Sequence, residues 1–193
     1  MKIGLNNKIF LITIFSFILF FNFIISTNYA NAAIPLTSCQ TIISPGDYYL
    51  ASNIVSSVFY CLNIRSDNVT INGNGYNIFV PYNSYYAIQI GDYNLNVKNI
   101  NLQSIRSNGS ISSTSNYLSP TGNSNILIKN SNITDIIFHN DYNVTIREGI
   151  LRSLSITPKS STTSTAPYSI KIINNTIIGH NDTVVIIQAG SLG

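Results

Sequence analysis

One short pattern recurs along this chain and constrains its fold more than any other feature. Two apolar residues stand one residue apart, Asn, Gly or Glu comes two positions later, and a large apolar or aromatic residue follows three positions after that. Alternating apolar residues predict a short β-strand, and Asn and Gly tolerate the left-handed backbone that a sharp corner needs. Copies of the pattern begin at Val69, Leu95, Ile126, Val144 and Ile170.

Strand and corner, repeated in this way, predict a β-solenoid. Each pass of the chain lies parallel to the previous one at about 4.8 Å, and the inward Val, Ile and Leu side chains stack into one core. The copies begin 26, 31, 18 and 26 residues apart, which indicates loops of different length. Segments 81–86, 104–120 and 157–167 have loop composition, and all three are predicted to project from one side. A last copy at Val185 and Ile187 follows so soon that either the final pass is tight or the register shifts there.

The Asn residues of the pattern predict two stacked columns. One column holds the residue before each strand, and the other holds the corner residue after it. Side-chain amides stacked at the strand spacing hydrogen-bond along the stack, so the columns are predicted to be structural. The predicted columns are Asn68, Asn94, Asn125 and Asn143, and Asn99, Asn130 and Asn174.

The segment 39–78, CQTIISPGDYYLASNIVSSVFYCLNIRSDNVTINGNGYNI, carries a resemblance to a known family. It resembles the opening coils of right-handed parallel β-helix proteins of the pectin-lyase-like superfamily, and is most similar to exported repeat proteins of the NosD and CASH types. The resemblance implies an all-β, right-handed parallel β-helix (β-solenoid) of about five to six short coils. That fold hosts lyases, hydrolases, adhesins and scaffolds. The matching residues are Pro45, Gly46, Tyr48, Leu50, both cysteines, the run from Asp67 to Ile71, Gly73, Gly75 and Ile78.

The first 32 residues have the layout of a signal peptide. Lys2 and Lys8 precede a largely apolar run from Ile9 to Ile25, and Ala30-Asn31-Ala32 offers small residues at a cleavage site. Because the apolar run is long for a signal peptide, an uncleaved membrane anchor is the alternative. Residues 33–193 are then long enough to form one domain with a core of its own.

Two cysteines, Cys39 and Cys61, predict a disulfide in an exported chain. Their separation is close to one pass of the solenoid, and stacked positions in neighbouring passes have Cα atoms about 5 Å apart, inside the disulfide range. The bridge is therefore predicted to join neighbouring passes.

Charge and acid placement argue against several functions. Without the first 32 residues, eight basic and seven acidic residues remain, and such a balance does not predict nucleic-acid binding. Asp92 and Asp141 are predicted to occupy equivalent positions two passes apart, with Asn123 between them; the separation of about 10 Å lies just beyond that of an inverting carboxyl pair. Turn capping by both side chains is the alternative. The sequence predicts no catalytic residue, no metal site and no cofactor.

Tyrosines in the predicted loops are the strongest candidates for binding. A Tyr ring offers a flat apolar face and a hydroxyl, which suits sugars and protein partners; packing of the loops onto the solenoid is the alternative. The sequence thus predicts an exported or cell-surface protein with a non-enzymatic role in carbohydrate binding, adhesion or scaffolding, and a polysaccharide lyase or glycoside hydrolase is the alternative. A polysaccharide is the expected partner, end-to-end self-association through the C-terminal pass is a further one, and a membrane is contacted only through an uncleaved N-terminal segment. The candidate tyrosines are Tyr82, Tyr85, Tyr86 and Tyr117.

Overall fold

The computed structural model describes residues 32–81, 86–92, 94–114, 122–139, 141–157, 169–178 and 185–187. The predicted signal segment 1–32 lies outside these ranges except for its last residue. The described residues form β-strands, turns and bends and contain no helix. Accordingly, no helix within the described ranges has the length and apolar character to cross a membrane.

The strands are short, and their bounds are as follows. They are β1 (Ile34–Leu36), β2 (Gln40–Ile42), β3 (Gly46–Leu50), β4 (Ile54–Val55), β5 (Tyr60–Ile64), β6 (Val69–Asn72), β7 (Asn77–Phe79), β8 (Tyr86–Ile90), β9 (Lys98–Gln103), β10 (Arg106–Ser107), β11 (Ser110–Thr114), β12 (Ser124–Lys129), β13 (Asn132–His139), β14 (Tyr142–Arg147), β15 (Ile150–Thr157), β16 (Ile170–Ile173), β17 (Thr176–Ile177) and β18 (Val185–Ile187).

The strands form two parallel sheets. The first runs in the order β1-β3-β6-β9-β12-β14-β16, and the second in the order β2-β5-β8-β11-β13-β10-β7-β4, with β15 pairing with β13, β17 and β18. After each strand of the first sheet the chain enters the second sheet and then returns one position along the first. The predicted all-β class with parallel, stacked passes is confirmed at this level, and the first sheet has seven strands where five to six passes were predicted.

The core consists of inward side chains that stack in columns across the passes. Alternate residues of each first-sheet strand point inward, and in the middle strands they are at most 1% exposed. Ile and Val, whose branched side chains suit a pleated surface, fill most of these positions. The two columns are Val69, Ile100, Ile126, Val144 and Ile170, and Ile71, Leu102, Ile128, Ile146 and Ile172.

The second copy of the sequence pattern begins at Ile100, so its prediction at Leu95 was wrong. Ile100 pairs with Val69 on one side and with Ile126 on the other. Leu95 instead closes a tight turn with Asp92, in which each residue's N–H donates to the other's carbonyl oxygen at 3.0 and 3.1 Å. The turn uses the backbone groups that a strand beginning at Leu95 would need.

Left-handed residues mark both ends of the first-sheet strands. Asn99 takes the place that was predicted for Asn94, and Ser104 takes the place that was predicted for Asn99. The residues of the first column have φ between 49° and 60°, and those of the second between 51° and 57°. The columns are Asn68, Asn99, Asn125 and Asn143, and Ser104, Asn130, Glu148 and Asn174.

The first column is a ladder of side-chain amides, which confirms the predicted stacking with the register corrected. Asn99 donates from Nδ2 to Oδ1 of Asn68 at 2.7 Å. Asn125 donates to Asn99 at 2.8 Å, and Asn143 donates to Asn125 at 2.7 Å. Each amide thus binds the equivalent residue of the neighbouring pass.

Segment 104–120 was predicted to be a loop, but seven of its eleven described residues, 104–114, are strand. It contains β10 and β11, and all five residues of β11 are buried. Burial of this Ser- and Thr-rich strand is possible because hydroxyls find partners: Ser110 donates to Asp135 and Ser113 donates to Asp141. Their composition alone predicts that these residues are hydrated at the surface. In the fold, hydrogen bonds to carboxylates take the place of that water.

The prediction that the three loops project from one side falls on residues 82–85, 115–121 and 158–168, which lie outside the described residues. Strand β18 pairs with β15 in the second sheet. Val185 and Ile187 are therefore not a copy of the first-sheet pattern, and the predicted register shift is the alternative that holds.

The predicted disulfide between Cys39 and Cys61 is confirmed. The two Cα atoms are 4.3 Å apart, and the next residues, Gln40 and Leu62, are partners in the β2–β5 pairing. The bond therefore joins neighbouring passes and closes a loop that contains β2, β3 and β4.

Removal of the disulfide should cost the fold about 3 kcal/mol, because the bond restricts the unfolded chain across a 22-residue separation. Urea unfolding of the protein with and without reductant measures the difference. The oxidised protein is the control, since it has the same side chains. Equal unfolding midpoints in both states, with complete reduction shown by mass, would contradict the expectation.

The Asn ladder predicts a graded response at Asn125. Asn125→Gly loses two amide hydrogen bonds and should lower the free energy of unfolding by about 1 kcal/mol. Asn125→Ala loses the same bonds and must also hold a Cβ at φ 55°, which adds about 1 kcal/mol. Chemical denaturation of both variants tests this order, and an Ala variant as stable as the Gly variant would show that the corner tolerates other backbone angles.

Candidate functional site

A row of five residues follows the corner at which the two parts of the second sheet meet. In β13, Ile133 and Ile136 are both buried, and the strand pairs with β10 up to Ile133 and with β11 from Ile136 onward. Residues of successive passes align there: Tyr60 pairs with Tyr86, Tyr86 with Ser110, and Asp135 with Ser153. Ser110 and Asp135 are joined by a hydrogen bond. The corner row is Tyr60, Tyr86, Ser110, Asp135 and Ser153.

The first part of the corner row is an aromatic platform, formed by Phe59, Tyr60 and Tyr86. The Tyr60 and Tyr86 rings are stacked, with centroids 5.6 Å apart and planes 17° apart. Phe59 stands edge-on to both, with centroids at 4.7 Å from Tyr60 and 5.3 Å from Tyr86. Phe59 is 45% exposed and Tyr60 is 40% exposed, so ring faces and edges remain available to a ligand.

The second part of the corner row is a carboxylate held between two serines. Ser153 donates to Oδ1 of Asp135 at 2.6 Å, and Ser110 donates to Oδ2 at 3.2 Å. The three residues come from adjacent strands β11, β13 and β15, so the pairing of the sheet fixes the carboxylate. Asp135 is half-buried, and each of its oxygens keeps lone pairs that can accept a further hydrogen bond.

Tyr86 is the only predicted tyrosine that lies among the described residues. Tyr82, Tyr85 and Tyr117 lie outside them. Phe59 and Tyr60 were not predicted, although a signal exists in the sequence: an aromatic pair directly before Cys61 stands one pass ahead of Tyr86. Phe59 and Tyr60 can be placed beside Tyr86 only when the pairing register of the second sheet is known. The repeated pattern does not predict that register.

Asp92 and Asp141 do not occupy equivalent positions. Ser124 pairs with both Lys98 and Tyr142, which aligns Asp141 with the residue before Lys98 and not with Asp92. Asp92 caps its turn by accepting from the N–H of Asn94 at 2.8 Å, and its other oxygen lies 3.0 Å from Nη2 of Arg65. The turn-capping alternative therefore holds for Asp92.

Asp141 is a buried acid, which the turn-capping alternative did not anticipate. It is 3% exposed and accepts a hydrogen bond from Ser113 at 2.9 Å, and the Ser113 hydroxyl accepts one from Asn123 at 2.9 Å. Burial raises the pKa of Asp141 to about 7, and the bond from Ser113 opposes part of that rise. Oδ2 has no hydrogen-bond partner among the described groups.

The remaining acidic side chains give no sign of a metal centre. Lys98 lies 3.9 Å from Asp67, and Arg147 lies 3.5 Å from Glu148. Within the described ranges, no three His, Cys, Asp or Glu side chains are arranged to hold a metal ion. The exposed aromatic platform and the adjoining serine–carboxylate cluster are thus the features of this part of the chain that best suit a ligand.

Comparison of the chain with protein-family models, with curated protein sequences and with solved structures gave no match.

The buried carboxyl of Asp141 predicts a pH-dependent stability. Between about pH 4 and pH 7 the unfolded chain has released a proton that the folded protein keeps, so stability falls as the pH rises through this window and then levels off. Asp141→Asn should remove that fall and raise the free energy of unfolding at pH 8 by up to about 4 kcal/mol. Urea titrations at pH 4, 6 and 8 check this, and Asp47→Asn on the first sheet is the control. A wild-type slope in Asp141→Asn would show that another group causes the fall.

Proposed function

We propose that this protein is an exported, right-handed parallel β-helix that binds carbohydrate without transforming it. The observation that carries the proposal is the exposed aromatic platform of Phe59, Tyr60 and Tyr86, which continues along the corner row into a fixed carboxylate. The apolar face of a pyranose ring packs on aromatic rings. Its hydroxyls donate to carboxylates in charge-assisted hydrogen bonds, which are stronger than neutral ones.

The geometry of the corner row suits an extended sugar chain. Successive members stand one strand spacing apart, about 4.8 Å, so contacts repeat along the direction in which the passes stack. The rings are held by each other and the Asp135 carboxylate is held by two serines. A preorganised surface of this kind loses little conformational entropy when a ligand binds.

The placement of the acids supports binding over catalysis. Glycoside hydrolysis requires two carboxyl groups that converge on one bond. Five of the six acidic side chains in the described ranges have a partner within the fold, and Asp47 is the exception. A lyase or hydrolase is therefore the less favoured candidate, and the release of reducing ends from a bound glycan would reinstate it.

The disulfide and the predicted leader support a location outside the cell. Disulfides persist in oxidising compartments, and Cys39 is joined to Cys61. Residues 1–32 are proposed to direct export, as a cleaved signal peptide or as a retained anchor. A secreted or cell-surface setting is where a carbohydrate ligand would be met.

Self-association through β16, the last described strand of the first sheet, is also proposed. Ile172 is 37% exposed, whereas Ile146 in the same inward column is 1% exposed. Because the inward column becomes exposed at Ile172, it offers apolar surface to a second copy of this chain. Sedimentation velocity across a hundredfold concentration range tests this, and a single monomeric species throughout would exclude it.

Glycan binding should depend on the aromatic platform. Tyr60→Ala and Tyr86→Ala are each expected to weaken binding about tenfold, the loss of one stacked ring contact. A glycan array identifies the ligand for wild-type protein, and titration calorimetry then compares the variants. Tyr76→Ala is the matched control, because Tyr76 is also an exposed tyrosine, at 37%, and stands outside the corner row.

Two results would contradict the platform as a binding surface. One is unchanged affinity in both variants. The other is a loss of several degrees in melting temperature with proportional loss of binding, which would identify the rings as packing residues of the corner.

A further inference from the structure

A depression of about 540 Å³ lies beside the corner row, on the part of the second sheet that contains β7 and β10. Strands β13 and β15 also border it with their N-terminal halves. The residues that decide its chemistry are Phe79, Arg106, Asn132, Ile150 and Arg152. We call it the arginine depression.

The charge of the arginine depression is not neutralised within the described part of the chain. Arg65 and Arg147 each have a carboxylate within 4 Å. Arg106 and Arg152 are exposed and form no such ion pair with any described residue. Among the described residues, no acidic side chain lines the depression.

Two described acids stand nearby, and Glu148 is the one whose charge is paired. Glu148 borders an adjoining depression together with Arg106, and its carboxylate lies 3.5 Å from Arg147. Asp135 follows Thr134 of the lining, and its two oxygens accept from Ser110 and Ser153. Neutral serines leave the negative charge of Asp135 in place, so the described residues at this surface carry two unpaired positive charges against one negative charge, and the net positive charge complements an anion.

The strand pairing sets the spacing of the two arginines. Arg106 pairs with Asn132, and Asn132 pairs with Ile150, so Arg152 lies two passes away and two residues further along its strand. Two passes correspond to about 10 Å. A ligand that binds both guanidinium groups must therefore be extended. It carries either a separate anionic group for each arginine or a single anionic group that both arginines reach.

The surface around the arginines is apolar and amide-bearing. Phe79 and Ile150 are each 43% exposed, and the exposed Asn132 stands between the two arginines. Apolar contacts beside cations and an amide suit a sugar ring that bears an acid group, because the ring has an apolar face, hydroxyls and an anion. Guanidinium groups bind carboxylate and sulfate oxygens with two parallel hydrogen bonds.

The arginine depression is continuous with the corner row. Arg152 directly precedes Ser153, and Thr134 of the lining directly precedes Asp135. A chain that crosses the corner row at Asp135 and Ser153 is therefore one residue from the lining of the depression. We infer that the preferred ligand is an anionic polysaccharide, whose acid groups bind Arg106 and Arg152 while a neighbouring sugar packs on the aromatic platform; this inference rests on the proposed carbohydrate-binding function.

The test uses polymers that differ only in charge. Two matched series, one of cellulose and one of dextran, each supply a neutral, a carboxymethyl and a sulfate derivative. The exported protein should bind a charged member of at least one series about tenfold more tightly than its neutral member, and this preference should fade with added salt. The carboxymethyl and sulfate arms identify which anion is preferred.

Charge-neutral variants assign the preference to the arginines. Arg106→Gln and Arg152→Gln should each reduce affinity for the charged polymer severalfold, and the double variant should bind charged and neutral polymers alike. Lys171→Gln, which removes an exposed cation from the first sheet, is the matched control and should bind as wild type does. Wild-type binding in both Arg variants, or an equal loss in Lys171→Gln, would overturn the inference.

The outcomes separate this inference from the proposed function. Binding to neutral polymer that Tyr60→Ala weakens, with no preference for charge, overturns the inference and leaves the proposed function standing. Charge preference that is lost in the Arg variants, with no effect of Tyr60→Ala, supports the arginine depression and removes the platform. Absence of binding to all six polymers overturns both.

Discussion

Left-handed backbone at fixed points is the constraint on which the rest of this structure depends. A parallel stack requires every pass to turn at the same place, and at the ends of the first-sheet strands the turn needs φ near 55°. Non-glycine residues seldom adopt that angle, and Asn is the least penalised among them. The Asn68–Asn99–Asn125–Asn143 column offsets what remains of the cost, because each amide is hydrogen-bonded to that of the next pass. Backbone geometry and side-chain bonding thus select the same residue.

The sequence predicts the repeating unit well and its register less well. Asn94-Leu95-Asn96-Val97 and Asn99-Ile100-Asn101-Leu102 have the same alternation of Asn and apolar residues. Local pattern cannot choose between them, since the choice is made by pairing with β6 and β12, which lie 26 or more residues away in the chain. Because Asp92 and Leu95 close a turn on each other, only the segment Asn99-Ile100-Asn101-Leu102 can extend the sheet. Non-local pairing also explains β11, which has the composition of a loop and the burial of a core strand.

The functional surface was only partly predictable for a similar reason. Tyr86 stands out by its residue type, but its stacking on Tyr60 depends on the pairing of β5 with β8. The burial of Asp141 depends on β11, which supplies Ser113. Arg106 and Arg152 are 46 residues apart in sequence, and two steps of strand pairing bring them to one depression. The sequence shows which residue types are present, and the pairing register of the second sheet determines which of them come together.

The disulfide has a consequence for how the molecule bears a load. Each pass is held to its neighbours by backbone hydrogen bonds, so tension applied through the two ends of the chain would peel strands away one at a time. Between Cys39 and Cys61 the covalent bond carries the force directly, and the enclosed strands β2, β3 and β4 are shielded from it. About 75 Å of chain length, that of some 22 extended residues, is thereby withheld from stretching. A chain under tension would keep one intact pass pair from which the peeled strands can re-form.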